Sequence, residues 1–406
     1  MIRVLLAAAV LLALAGSARA QIDPERRVLL LGGYEQGLFV PGPVAPYAYS
    51  YMNIPEVAGS SSALRLVVAP VYVDSEMGFQ NFLGKYADAG IGVSGGGYAF
   101  GQTEVRRGDE KRGESFTGHG GGPSVSLYPK LGKIGPVPIN GIVRAAASYS
   151  DYRRNYATAP EFKLPPNEWT GIARFGVRAG GQPPGMDRAP SGEVSMWYEV
   201  REREHGDAPY GYNGDRFAEG TTRLYWTRML FAYDFEDDRR LGVNLNFGAG
   251  SGIDRFSAFR VGGMLQNNAE FPMSIPGYFT QEIAAERVAH VWLRFGKGLT
   301  SERRIVFNWF AGGALIKPVA TTDAGGAQHA GVGMGIEFLP KKENGALRGM
   351  LSFGYAPTAV RGDHRGGEGV ALSFELNLGK TPSTGAGRLP DTQGGLRWLI
   401  GSPSLP

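Results

Sequence analysis

The sequence predicts an all-β chain, a transmembrane antiparallel β-barrel of about 14 strands, with 12 to 16 allowed by the pattern, and a long surface loop that folds inward. Three observations lead there. Beyond residue 20, runs of about ten residues alternate apolar with polar side chains, the period of two that a strand shows when one face meets lipid and the other water. Compact links at 236–240, 296–303 and 340–346 alternate with long, polar, glycine-rich connections, the pattern of short periplasmic turns and longer surface loops. The amino terminus reads as an export leader, with Arg3, the apolar run from Val4 to Leu14, and Ala18-Arg19-Ala20 before Gln21. About eleven apolar residues are too few to span roughly 30 Å of hydrocarbon, so cleavage is expected.

Taken in order, 1–20 is the expected signal peptide, 21–379 the barrel and 380–406 a Gly/Pro-rich periplasmic tail. Strands are expected near 27–39, 61–74, 86–105, 117–130, 138–152, 168–180, 192–204, 222–236, 240–251, 281–296, 303–316, 328–340, 347–357 and 368–379. The clearest alternation sets Leu241, Val243, Leu245 and Phe247 toward lipid, with Gly242, Asn244, Asn246 and Gly248 toward the lumen. Val370, Leu372, Phe374, Leu376 and Leu378 oppose Ala371, Ser373, Glu375 and Asn377 in the same way. Val194, Met196, Tyr198 and Val200 face away from Ser195, Trp197, Glu199 and Arg201. An even strand count places both ends of the barrel on the periplasmic side.

Composition narrows the classes. The absence of cysteine excludes disulfide scaffolds, thiolate metal sites and a lipoprotein anchor. Lys plus Arg number 42 against 38 acids, and removal of Arg3 and Arg19 with the leader leaves 40 against 38, so no basic surplus points to nucleic acid. The 62 glycines suit close strand packing and many turns. A soluble β-sandwich or propeller would also alternate, with apolar residues inside. Arginine, glutamate and aromatics on the expected lumen face, together with the loop asymmetry, favour the barrel, and no repeat of 40 to 50 residues supports a propeller.

The chemical motifs carry less. Gly92-Val93-Ser94-Gly95-Gly96 fits a nucleophile elbow and His119-Gly120-Gly121-Gly122 an oxyanion loop, the basis of a remote serine-hydrolase alternative. An elbow needs strand, turn and helix, and no helical periodicity follows. Glu282, Glu286 and His290 would line a helix as metal ligands. On a strand, residues four apart lie about 13 Å apart, so with Arg294 they are expected to form a solvated lumen face. Gly331-x-Gly-x-Gly lacks the helix of a dinucleotide site and is expected to reflect close packing. No catalytic, cofactor or metal site is expected. Lumen charge is expected from Arg144, Arg174, Arg178, Arg201 and Arg228 on one wall and Glu282, Glu286, His290, Arg294, Glu337 and Glu375 on the other, either as a transverse field or, the favoured reading, as internal salt bridges bracing a plugged barrel.

Phe259-Arg260-Val261-Gly262-Gly263, an irregular stretch, then Ile275-Pro276-Gly277-Tyr278 and a long strand from Gln281 resemble the bacterial surface antigen barrel, the BamA-like superfamily of outer-membrane assembly and secretion proteins. In that family a Gly-Gly segment leads into a surface loop that re-enters the lumen and ends in an Arg-Gly-Tyr or Arg-Gly-Phe tip, with five strands after it. Five are expected here. Gly331 to Pro340 and Leu347 to Tyr355 are similar to the closing strands, so the resemblance covers roughly 256–379. Two departures fall on one interaction. The family's tip arginine, which reaches an aspartate on the second strand after the loop, is Pro276 here, and 305–316 contains no aspartate. Since an unpaired buried charge is costly, their joint absence is coherent. The loop is then expected to be held by packing of Phe271 and Tyr278 and not by an ion pair. The periplasmic POTRA modules of many members have no counterpart in the short stretch after the cleavage site, which resembles the POTRA-less branch.

The resemblance implies a place in the bacterial outer membrane and a role in outer-membrane protein assembly or transport, with a passive diffusion porin as the alternative. Expected partners are outer-membrane lipid, the barrel assembly machinery during biogenesis, and a periplasmic partner for the tail, where Leu396, Trp398, Leu399 and Ile400 offer apolar contacts.

Overall fold

The alternating segments settle into strands because each can bury a polar face inside a closed ring while leaving an apolar face outside. The computed structural model describes residues 22, 26–39, 42–97, 101–135, 137–180, 191–235, 238–265, 271–300, 304–319, 324–339 and 347–378. The expected leader and tail lie outside the described residues, as do 236–237 and 301–303 of the first two compact links and all of the third, 340–346.

The first eight strands are β1 (Arg27–Gly37), β2 (Ala45–Pro55), β3 (Ser62–Ala69), β4 (Tyr72–Phe79), β5 (Ala87–Gly96), β6 (Thr117–Ile134), β7 (Val137–Arg153) and β8 (Glu168–Gly180). The second eight are β9 (Ser191–Arg203), β10 (Thr221–Asp234), β11 (Arg239–Ser251), β12 (Ile283–Gly298), β13 (Ile305–Pro318), β14 (Gln328–Phe338), β15 (Leu347–Arg361) and β16 (His364–Asn377). Each pairs antiparallel with its sequence neighbours, and β16 returns to β1 from Leu29↔Asn377 to Gly37↔Gly369. The result is a closed barrel of 16 strands, within the expected range.

Two strands escape the sequence reading. β2 is bounded by Pro46 and Pro55, turns Tyr47, Tyr49 and Tyr51 inward and offers Ala48 and Ser50 outward, so no apolar period marks it. The expected strand 61–74 merges β3 with the start of β4, because the two-residue turn Pro70-Val71 lacks the glycine or asparagine that usually announces a hairpin.

The ring is inside out relative to a soluble sandwich. Outward side chains such as Ile91, Met196 and Phe247 are 57%, 58% and 46% exposed, while inward Ser195 and Arg228 are each 1% exposed. An exterior of this kind needs lipid around it. The elbow motif lies within β5, laddered to β4 and β6, with Ser94 opposite Asp74 and Gly122. That geometry supplies no nucleophile elbow.

The lumen is occupied by a loop. The connection between β11 and β12 carries a short strand, Phe259–Val261, that pairs with the start of β12, and then folds back into the barrel. Ile253, Phe259, Val261, Met273, Ile275 and Tyr278 from it join Trp197, Leu224 and Trp226 of β9 and β10 and Val288, Ala314 and Ile316 of β12 and β13 in one apolar core. A second cluster, Phe116, Phe162, Tyr210 and Phe256, caps the loop end.

Candidate functional site

The inward loop and its contacts with the wall form the candidate site. Its path is set by backbone that only glycine adopts without strain, with Gly263 at φ +85° and Gly277 at φ +83°. Gly262 N donates to Met273 O at 2.9 Å, so the outgoing and returning limbs brace each other.

The tip, Ser274 to Gly277, lies on a wall stripped of side chains. A Cβ on Gly312 of β13 would stand 2.6 Å from the Ser274 carbonyl, and one on Gly354 of β15 would stand 2.6 Å from the Gly277 nitrogen. On β14, a Cβ at Gly331 would collide with the Pro276 carbonyl, and Gly333 faces the Pro276 Cβ at 3.3 Å. The Gly331-x-Gly-x-Gly run therefore serves close packing against the loop as well as between strands.

Polar latches hold this contact, and one of them corrects the expectation that no ion pair is involved. Arg361, at the end of β15, donates to Glu282 at 2.6 Å and to the Gly277 carbonyl at 3.0 Å. Its guanidinium also lies 4.2 Å from the Phe279 ring centroid and 5.7 Å from that of Tyr278. Glu282 in turn accepts from Phe279 N at 2.8 Å, so both charges are buried with their hydrogen-bonding capacity engaged. A second latch comes from Glu35 on β1, which accepts from Met264 N at 3.0 Å, Leu265 N at 3.3 Å and the Thr280 hydroxyl at 2.7 Å.

Two histidines complete the contact. His290 Nε2 donates to Ser274 O at 2.9 Å while its Nδ1 accepts from Asn246 at 3.0 Å, an arrangement that needs the neutral ring. His329 Nε2 donates to Gly326 O at 3.1 Å, leaving Nδ1 to accept from the Tyr278 hydroxyl at 2.8 Å. Phe271 stands edge-on to the stacked pair Trp197 and Trp226, at 5.5 and 5.4 Å, with Arg228 5.4 Å from its ring centroid.

The remaining lumen charges do not form opposed walls, because each arginine finds a local acid. Arg174 and Arg201 pair with Glu199 at 2.5 and 2.6 Å, and Arg228 pairs with Glu193 at 2.6 Å, with Arg178 at 3.8 Å from the same carboxylate. Arg144 donates to Ser124 at 2.9 Å and lies 3.8 Å from Glu76. Across the lumen, Glu337 takes Arg294 at 2.6 Å and also Arg348, whose register partner is Glu375. Glu286 leaves the lumen face altogether. The register shift between Ala285 and Arg287 turns it toward Lys317, which is 60% exposed. Glu282, Glu286 and His290 thus take three separate sets of partners, and among the described residues no metal-holding cluster of His, Asp and Glu occurs.

Glu35, Arg361, Glu193, His329 and Arg348 are site residues that sequence reasoning does not single out, and Glu199 is placed by it on the inward face without a partner. For Glu199 a signal exists, since it shares the inward parity of Trp197 and Arg201 and stands directly opposite Arg174.

No protein-family model and no curated protein sequence matches this chain. Solved structures do. CdiB from Acinetobacter baumannii is similar at a TM-score of 0.58 and 10% identity over 87% of this chain and 60% of that one. CdiB from Escherichia coli gives 0.57 and 11% over 87% and 64%. BamA from Haemophilus ducreyi lacking POTRA domains 1–3 gives 0.57 and 10% over 88% and 71%. The chain thus spans about three fifths of the two CdiB chains, and at these identities the likeness is one of fold. It is the barrel fold of CdiB and BamA that this sequence adopts.

Proposed function

We propose that this protein is a bacterial outer-membrane β-barrel that handles other polypeptides at that membrane, in assembly or transport, and that its lumen is shut at rest by the loop between β11 and β12. The apolar exterior supports the membrane setting, and the likeness to CdiB and BamA supports the surface-antigen reading. The reading rests above all on the loop being latched from two sides, by Glu35 on β1 and Arg361 on β15, over a packed apolar core. A passive porin keeps a polar, water-filled lumen, which this core displaces. In this reading the barrel has no catalytic centre and no cofactor, and meets the barrel assembly machinery only as a client during its own biogenesis.

One observation favours the porin alternative. On the inner wall, Ser195 Oγ, Asn140 Nδ2 and Asn244 Oδ1 have no protein partner, and such groups call for water beside the plug.

Planar-bilayer recording separates the two. Small or flickering conductance is expected from the intact protein, and large, steady conductance after deletion of 264–278. A large, steady conductance from the intact protein would establish the porin, and an unchanged trace after deletion would remove the plug. The polypeptide-handling role is tested by the folding yield of a urea-denatured outer-membrane barrel offered to vesicles with and without the protein. A higher yield is expected with it, and equal yields would count against assembly.

A further inference from the structure

A cavity of about 240 Å³ opens at the loop end, between the connection from β1 to β2, the segment 101–105 and the base of the inward loop. By that measure a single water needs about 10–15 Å³, so the space takes a small molecule. Its walls differ in chemistry. Val44, Ala45, Pro46 and Tyr47 give an apolar side, whereas Gln102, Thr103, Gln281 and Arg260 give a polar one.

Arg260 is the unusual member. It donates to the Arg255 carbonyl at 2.6 Å, and among the described residues no carboxylate lies within ion-pair distance of it. The neighbouring acids are already engaged. Glu104 pairs with Arg255 at 3.2 Å and with Arg106 at 3.1 Å, and Glu114 with Arg106 and Arg216. Three arginines, Arg106, Arg216 and Arg255, therefore share these two carboxylates, and Asp254 is taken by Arg203, which leaves Arg260 without an acid of its own. Burial and the adjacent Arg255 cation push Arg260 down to about 10, the behaviour of a charge short of compensation.

We propose that this cavity binds a small oxyanion, a phosphate or carboxylate, on the Arg260 guanidinium. The planar fork suits two oxygens of such a group. The Gln102 and Gln281 amides and the Thr103 hydroxyl offer further donors, and the Val44 to Tyr47 side accommodates a carbon skeleton. The same chemistry is presented by a free solute and by the phosphorylated head group of a surrounding lipid.

Isothermal titration of the full chain in non-ionic detergent with inorganic phosphate tests the site. Saturable binding is expected, weakened tenfold or more in Arg260→Gln and less in Arg260→Lys. Ala45→Trp, which fills the cavity and leaves the arginine intact, is expected to abolish binding, and it decides the matter if Arg260→Gln does not fold. No saturable binding of phosphate or acetate by the wild type, or wild-type affinity in either Arg260→Gln or Ala45→Trp, overturns the proposal. Repeating the titration in nanodiscs distinguishes the sources. Loss of phosphate binding in phosphatidylglycerol discs but not in uncharged ones identifies a head group as occupant, and retention in both identifies a free solute. Either result supports the anion site.

Discussion

Arg361 brings a cation to the loop from β15 and meets Glu282 just beyond the tip, an ion pair at a different place from the one that the family resemblance implies between the tip and the second strand after the loop. Both partners are buried, and removal of one strands the other, at about 3–5 kcal/mol. Arg361→Met and Glu282→Gln are each expected to raise the open probability in planar bilayers. The double variant should open less than the sum of the two, because its remaining partner is no longer an unpaired charge. Strictly additive effects would show that the two groups do not act as a pair. This latch is not legible in the sequence for a local reason. Between Ala356 and Val360 the register of β15 against β16 shifts, Pro357 and Thr358 break the alternation, and the expected strand stops at 357, short of Arg361. Glu286 is misplaced by the same kind of event, since it is the extra residue of a bulge in β12 and points away from the face that Val288, His290 and Arg294 keep.

At the scale of elements, regular strands are legible and interrupted ones are not. β11 and β16 carry their two faces in plain alternation, whereas β2 hides behind inward tyrosines and terminal prolines. The glycine content is legible as packing, but the contacted surface is the loop, a long-range partner that no local pattern names. Gly331→Leu is accordingly expected to lift the tip from β14 and raise conductance while the ring itself persists. A trace identical to wild type would place the tip elsewhere. The loop-end cap yields a pH prediction. Burial alone would raise the Asp254 carboxyl, but Arg203 outweighs it and holds the group below the usual range, and Arg255 and Arg106 do the same for buried Glu104. Groups with depressed values stabilise fully above the ordinary carboxylate range and lose that contribution as pH falls through and below about 4. Hydrogen exchange in 101–116 and 253–258, corrected for the intrinsic rate, should therefore be unchanged from pH 7 to 5 and accelerate below 4. Asp254→Asn should accelerate exchange near 254 already at pH 7 and flatten the acid dependence there. Acceleration beginning near pH 6 would point to histidine instead.

For the whole molecule, ring and plug are held by different forces, and this makes them separable. The ring closes through backbone ladders at every one of its junctions, including β1 against β16, so it has no edge from which to fray. The plug is laddered only at its base, Phe259–Val261 against β12, and beyond that is held by side chains, namely Arg361, Glu35, His290 and Tyr278, and by glycine contacts at its tip. The overall closure is legible in the sequence because it depends only on parity and the rhythm of short and long connections; the docking of the loop depends on pairs such as Glu35 and Met264, 229 positions apart, that carry no mutual signature. Unboiled protein in dodecyl sulfate should thus migrate faster than boiled protein, since the detergent cannot open a closed ladder without heat. Glu35→Gln weakens the hold of the wall on Met264, Leu265 and Thr280 and leaves every ladder bond of β1 in place. It is expected to raise conductance as Arg361→Met does, without altering the temperature at which the fast band disappears. If both change together, the loop is an integral brace of the barrel and cannot move as a gate while the wall stands.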